Sequence, residues 1–120
     1  MQIAIAATPQ RIALTQAYDS FNDAYNALVV DQDITTDASI TASRAHATAG
    51  VELLLSAGPG SVPADNVAFC VDVARAGVAA LDAALAAAST GTRDAAVNAA
   101  LNSFDTVAER LSNDLDLGVG

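Results

Sequence analysis

The sequence predicts an all-α fold: a single up-down-up-down antiparallel four-helix bundle with short extended N- and C-terminal arms. Two features of composition favour helices, since Ala makes up about a quarter of the 120 residues and only 4% are aromatic. A core of Ala, Val and Leu suits closely packed helices better than strands, which favour β-branched and aromatic side chains. The third observation is periodicity, because four segments repeat apolar residues at intervals of three and four.

The first two helices are predicted on either side of the polar stretch DQDITT. Helix one is expected over residues 9–30, with Thr8 as N-cap and Pro9 at its first position. Its apolar side consists of Leu14, Ala17, Phe21, Ala24 and Leu28. Helix two is expected over 36–57, capped by Thr35 or Thr36. Its apolar side consists of Ile40, Ala47, Val51 and Leu54.

The linker GPGSVP at 58–63 is the strongest break in the chain, and the third helix is predicted after it, over 63–89. The apolar repeat of this helix is the most regular of the four: Val67, Val71, Ala74, Val78, Leu81, Leu85 and Ala88. Its charged residues are few and share one narrow side: Asp65, Asp72, Arg75 and Asp82. We therefore expect it to be the most buried helix.

The fourth helix is predicted over 92–115, after the break at Thr90–Gly91. Its apolar side consists of Val97, Leu101, Phe104, Ala108, Leu111 and Leu115. Short linkers between helices of matched length favour antiparallel neighbours, so we expect one domain that covers residues 1–120.

Both ends of the chain alternate apolar and other residues with the two-residue period of a strand. A lone two-stranded ribbon is marginal in water, so we expect each arm to be held by the other or by a neighbouring subunit. The predicted interface residues are Ile3, Ile5, Leu115, Leu117 and Val119.

The net charge of −9 comes from 14 acidic residues against five Arg and no Lys. Binding to nucleic acid or to an anionic membrane requires a basic surface, so neither partner is expected. We expect neither an export signal nor a membrane-spanning segment, because no apolar run approaches the required ~18 residues. Cys70, the single cysteine, is expected to be a buried structural thiol.

No catalytic, cofactor-binding or metal-ligating residues are predicted, and the chain is not expected to be an enzyme. His46, the single histidine, precedes Gly50 by four residues, a spacing that resembles the His, two residues, Lys, Gly pattern of histidine phosphotransfer domains. Ala49 stands in the place of that Lys. On a helical wheel, His46 lies toward the apolar side of helix two. This position predicts a side chain that is packed in the core or lies at its boundary. Glu52 and Glu109 lack the Glu-x-x-His spacing of bundle metal sites.

The functional hypothesis is a non-enzymatic structural or interaction protein, a subunit or accessory of a larger assembly. Its specific form is a viral (phage) capsid accessory or cement protein, located on the virion. The expected partners are other protein subunits, either copies of this chain or a major shell protein. Two alternatives stay open: a small helical adaptor or signalling module of the phosphotransfer type, and a bundle that binds an apolar ligand beside Tyr18 and Tyr25.

Overall fold

The computed structural model describes residues 9–29, 37–60 and 62–115. Over this part of the chain 91% of the residues are helical and there is no strand. The four helices are α1 (Pro9–Val29), α2 (Asp37–Ser56), α3 (Ala64–Ala86) and α4 (Thr90–Leu115). The prediction of an all-helical protein with four helices is confirmed. The two arms, over 1–7 and 116–120, lie outside the described residues.

The helices pack against one another in four pairs. α1 packs against α2 and α4, and α3 packs against the same two helices. One core cluster draws buried side chains from all four helices and from the α2–α3 linker. Every apolar residue predicted on the inner sides of α1 and α2 is buried in it, so the periodicity of these two helices was sufficient to locate their buried faces.

The buried face of α3 differs from the prediction. Val67 and Val78 are only partly buried and Leu85 is 36% exposed. The face instead contains Cys70, Val71, Ala74, Gly77, Leu81 and Ala84. The expectation that α3 would be the most buried helix is wrong, since six of its 23 residues are buried against six of the 20 in α2. Ala and Gly add little to a pattern of apolar side chains. In this Ala-rich helix the prediction therefore followed the larger side chains and placed the buried face wrongly.

The middle of the core consists of two phenylalanine rings, one from α1 and one from α4. Phe21 and Phe104 stack with their ring centroids 6.2 Å apart and their planes at 24°. Each ring lies against a glycine of a neighbouring helix, Phe21 against Gly50 of α2 and Phe104 against Gly77 of α3. A Cβ atom on Gly50 would lie 2.6 Å from Phe21 Cζ, and one on Gly77 would lie 2.6 Å from Phe104 Cε1. The absence of a side chain on α2 and on α3 therefore makes room for the two largest core groups.

We expect Gly77→Ala to lower the free energy of unfolding by about 1–3 kcal/mol, because the new methyl group overpacks the core against Phe104. The matched control is Gly91→Ala in α4, where a Cβ would meet nothing within 4 Å. That change should be neutral or stabilise by about 0.4–1 kcal/mol. Urea unfolding measures both. Phe104→Leu should cost less in the Gly77→Ala background than in the unmodified chain, because the smaller side chain relieves the overlap. Equal stability of the two glycine variants would contradict this packing.

Two buried polar side chains form hydrogen bonds that join α1 to the α2–α3 linker and to α2. Gln10 is only 1% exposed and bonds to the α2–α3 linker. Its Nε2 donates to Val62 O at 2.8 Å and to Gly58 O at 3.3 Å, and its Oε1 accepts from Val62 N at 3.0 Å. Ser43 on α2 is buried and donates through Oγ to Ala24 O at 2.7 Å. These bonds hold the linker and α2 against α1.

Candidate functional site

The single histidine lies in an open depression between α1 and α2. The depression has a volume of about 660 Å³. Its lining consists of Asp23, Asn26, Ala27, Ala38, Ser39, Ala42 and His46. His46 is exposed, so the prediction that it is packed or at a boundary is wrong. The buried positions around it on α2 are Ser43, Ala47 and Gly50.

The groups around His46 limit the chemistry of this depression. Asp23 contributes a negative charge, Asn26 and Ser39 are neutral, and the described lining residues include no Lys or Arg. A phosphorylated histidine would add negative charge next to Asp23, and no cation among these lining residues would neutralise it. The exposure of His46 meets one requirement of a phosphoacceptor, and the electrostatics of its surroundings oppose the same role.

The interface between α3 and α4 carries a second group of polar side chains. Asn66 Nδ2 donates to Asp114 Oδ1 at 3.2 Å. The other oxygen, Asp114 Oδ2, is buried and has no hydrogen-bond partner among the described residues. Nearby, the Arg110 guanidinium carbon lies 4.5 Å from the centroid of the Phe69 ring. This arrangement is typical of a cation–π contact at a helix–helix boundary.

Cys70 is fully buried beside this group and is a free thiol. Burial and, to a smaller extent, the negative charge of Asp114 raise the pKa of Cys70 to about 11, with the Arg110 guanidinium partly opposing both. Nucleophilic chemistry requires the thiolate, which is scarce at neutral pH under these conditions. The predicted structural role of Cys70 matches its buried position.

We expect Cys70 to react with a thiol reagent such as DTNB at least about a hundredfold more slowly in the folded protein than in denaturant, because the folded state disfavours the thiolate and blocks access. Absorbance at neutral pH follows the reaction, and Asn113→Cys, at an exposed position on α4, is the control that should react fast. Rapid labelling of Cys70 in the folded protein would contradict its burial.

The pKa of Cys70 also predicts the sign of a stability change. Below the ordinary thiol pKa of about 8.5 both states are protonated and the thiol has no pH effect. As the pH rises toward 11, the unfolded thiol ionises before the folded one, so stability falls. Cys70→Ala should remove this part of the loss when unfolding is compared at about pH 8 and pH 10.

An apolar groove lies between the end of α2 and the start of α3. It has a volume of about 370 Å³. Its lining consists of Leu54, Leu55, Gly58, Ala64, Val67, Ala68, Val71 and Asp72. Leu55 is 58% exposed, the largest exposure among the big apolar side chains of the described residues. The groove has the chemistry of a docking surface for apolar side chains, with one carboxylate in its lining.

The predicted interface residues are only partly within the described chain. Leu115 is the last residue of α4 and is buried in the core, and its carbonyl oxygen accepts a hydrogen bond from Arg11 Nη2 at 2.9 Å. The other four residues lie outside the described part: Ile3, Ile5, Leu117 and Val119. Tyr18 and Tyr25 are partly buried and pack against the core cluster.

Two further kinds of site concern the same part of the chain: a metal centre and a membrane-spanning helix. Among the described residues, no three His, Cys, Asp or Glu side chains are grouped closely enough to hold a metal ion. None of the four helices, over their described lengths, combines the length and the hydropathy that crossing a bilayer requires.

Comparisons with known proteins give no relative from which a function could be transferred. No protein-family model, no curated protein and no solved structure matches this chain.

The sequence analysis missed the Gln10 bonds and the α2–α3 groove. Gln10 stands in the first turn of α1, and its partners lie about fifty positions later, so no local pattern indicates the contact. The run Leu53–Leu54–Leu55 gives a weak indication of the groove. Three consecutive leucines on one helix cannot all face the same core, so one of them must lie outside it.

Proposed function

We propose that this chain is a non-enzymatic interaction protein, a subunit of a larger protein assembly, which binds its partner through the outer side of α3. The observation that carries the proposal is a second heptad-like stripe on that helix, facing solvent. Its members follow one another at intervals of three and four and are all exposed: Phe69, Asp72, Ala76, Ala79, Ala83 and Ala86. We call this set the outer stripe of α3.

The outer stripe of α3 suits a helix of another subunit. Intervals of three and four match the knobs-into-holes packing of two helices at a shallow angle, and alanines let the two backbones approach closely. Leu85, exposed on the same helix, adds apolar area beside the stripe. A helix packed within its own domain uses one such stripe. Phe69 contacts Arg110 of α4, whereas the four alanines of the outer stripe stay exposed within the described part of the chain.

We also propose how the helices are arranged. They form one domain over residues 1–120, in which neighbouring helices run up and down in alternation. End-to-end contacts support it. Arg11 at the start of α1 bonds to Leu115 at the end of α4, and Asn66 at the start of α3 bonds to Asp114 near that end. An antiparallel bundle brings such ends together and leaves the outer sides of all four helices available.

The specific form of the proposal is an accessory or cement protein on the outside of a viral shell, with copies of this chain or the shell protein as partners. The net charge of −9 supports an outer position, because a strongly acidic surface is repelled by packaged nucleic acid. The same charge argues against nucleic acid or anionic membranes as partners.

Mutating the outer stripe tests the interaction directly. Ala79→Arg places a long charged side chain in the middle of the stripe, and Ala99→Arg makes the same change at an exposed position on α4. In the source material the chain should sediment with particles far larger than a monomer. We expect Ala79→Arg to abolish that co-sedimentation and Ala99→Arg to leave it unchanged. A native protein that is monomeric in its source would overturn the proposal.

A histidine phosphotransfer role is the second candidate, because His46 is exposed. The absence of any Lys and the presence of Asp23 in the same depression make it the weaker one. His46→Gln should leave the biological role intact if the assembly proposal is correct. Stable phosphate on His46 in the protein isolated from its source would reverse this ranking.

A further inference from the structure

The α2–α3 groove has no partner among the described residues, although its lining is almost entirely apolar. Leu55 leaves 58% of its surface exposed at this site, and Asp72 is the one charged lining residue. Exposing a large aliphatic side chain beside an apolar depression leaves a favourable burial unused. A segment that covered Leu55 would have to be apolar and within reach of the groove.

The described chain begins next to this groove. Gln10 Nε2 donates a hydrogen bond to the carbonyl oxygen of Gly58, and Gly58 is itself a lining residue. Residues 1–8 therefore join the fold at one end of the groove. At ~3.3 Å per residue, an extended segment of this length reaches up to about 26 Å. That is about twice the ~12 Å of helix between Ala64 and Asp72, the span of α3 that lines the groove.

The side chains of this segment match the groove. Its sequence, MQIAIAAT, has six apolar residues and no charged side chain, and Ile3 and Ile5 point to one side if the backbone is extended. Segment 116–120, which follows Leu115 in the sequence, carries Asp116, which Asp72 would repel in this groove. From reach, apolar character and charge we infer that residues 1–8 of this chain dock in its own α2–α3 groove, with Ile3 and Ile5 against Leu55 and Val67.

Attachment to α1 favours the same chain over a second copy. A tethered segment presents itself at an effective concentration in the millimolar range, which exceeds the concentration of other copies in a dilute solution. The groove is separate from most of the outer stripe of α3, and the inference does not rest on the proposed function. It concerns the isolated chain, so it can fail while the assembly proposal holds.

Disulfide trapping in the full chain tests the inference. The variant Ala6→Cys with Ala68→Cys places one thiol in the segment and one on an exposed groove residue. The matched control pairs Ala6→Cys with Ala83→Cys, also exposed on α3 but about 22 Å further along the helix. Cys70 does not interfere, because it is buried and its pKa is raised to about 11. The reaction is run in dilute protein with oxidised glutathione and followed by peptide mapping.

We expect the Ala6/Ala68 pair to form an intrachain disulfide at least about tenfold faster than the Ala6/Ala83 pair. Equal rates for the two pairs would overturn the inference, and so would disulfide-linked dimers as the main product, which would assign the groove to a second copy. A second measurement needs no substitution: nuclear Overhauser contacts between the Ile3 or Ile5 methyl groups and those of Leu55 or Val67. Their absence in the unmodified chain would also overturn it.

Discussion

Replacing Phe104 by alanine is expected to lower the free energy of unfolding by about 3–5 kcal/mol. The side chain is completely buried, stacks on Phe21 across the middle of the core and lies over Gly77. Its removal loses the transfer free energy of a phenyl group. It also leaves a cavity that the helix backbones cannot close without moving apart from their other contacts.

The loss in Phe104→Ala should exceed that in a typical core variant because two rings depend on each other. Phe21 loses its stacking partner, and aromatic pairs contribute about 0.5–1.5 kcal/mol beyond the area they bury. Urea unfolding measures the effect, with Asp105→Ala as the matched control, one residue along on the exposed side of α4. That control should stay within about 0.5 kcal/mol of the unmodified chain. Similar losses in both variants would mean that the register of α4 is wrong.

Gln10→Leu is the substitution with the second largest expected effect, although leucine is apolar and of similar size. Gln10 satisfies the N–H and C=O groups of Val62 and a carbonyl of the linker, all inside or at the edge of the core. A leucine satisfies none of them. Each buried backbone group left without a partner costs about 1–3 kcal/mol, and Val62 carries two of them.

Because Gln10 bonds to the α2–α3 linker, its replacement should also have a local effect there. The linker between α2 and α3 should lose protection against amide hydrogen exchange at Val62 before the helices unfold. Gln16→Leu is the matched control, because Gln16 is exposed on the same helix and the change should have little effect on stability. A Gln10→Leu variant as stable as Gln16→Leu would show that water or another group can replace the glutamine.

On α3 the sequence predicts the exposed side better than the buried side. Its polar residues located the exposed side well, since Asp65, Asp72 and Asp82 are all exposed. Its apolar repeat misplaced the buried side because Cys70, Gly77 and Ala84 are too small to stand out in a pattern weighted by side-chain size. Gly77 is buried because Phe104 needs the space above it, and that requirement comes from another helix.

The candidate surfaces were harder to predict than the fold for the same reason. The exposure of His46 depends on how α2 is turned toward α1, which a single helical wheel does not specify. The α2–α3 groove depends on the separation of two helix ends, and its existence could not be derived from either helix alone. Leu115 was expected both in the core and in an arm, and the structure places it in the core.

By itself, the sequence determined that this is an all-helical protein with four helices, and which sides of α1 and α2 are buried. These features are local, because helix propensity, capping and the 3.6-residue period act within a few residues along the chain. The break predicted at Thr90–Gly91 lies instead at 87–89, because α3 ends at Ala86 and α4 begins at Thr90. The tertiary structure alone decided the rotation of α3, the partners of Gln10, the exposure of His46 and the position of the α2–α3 groove. Each of these depends on a part of the chain that is distant in sequence, and close packing in the core couples such parts across separations that no local period can span.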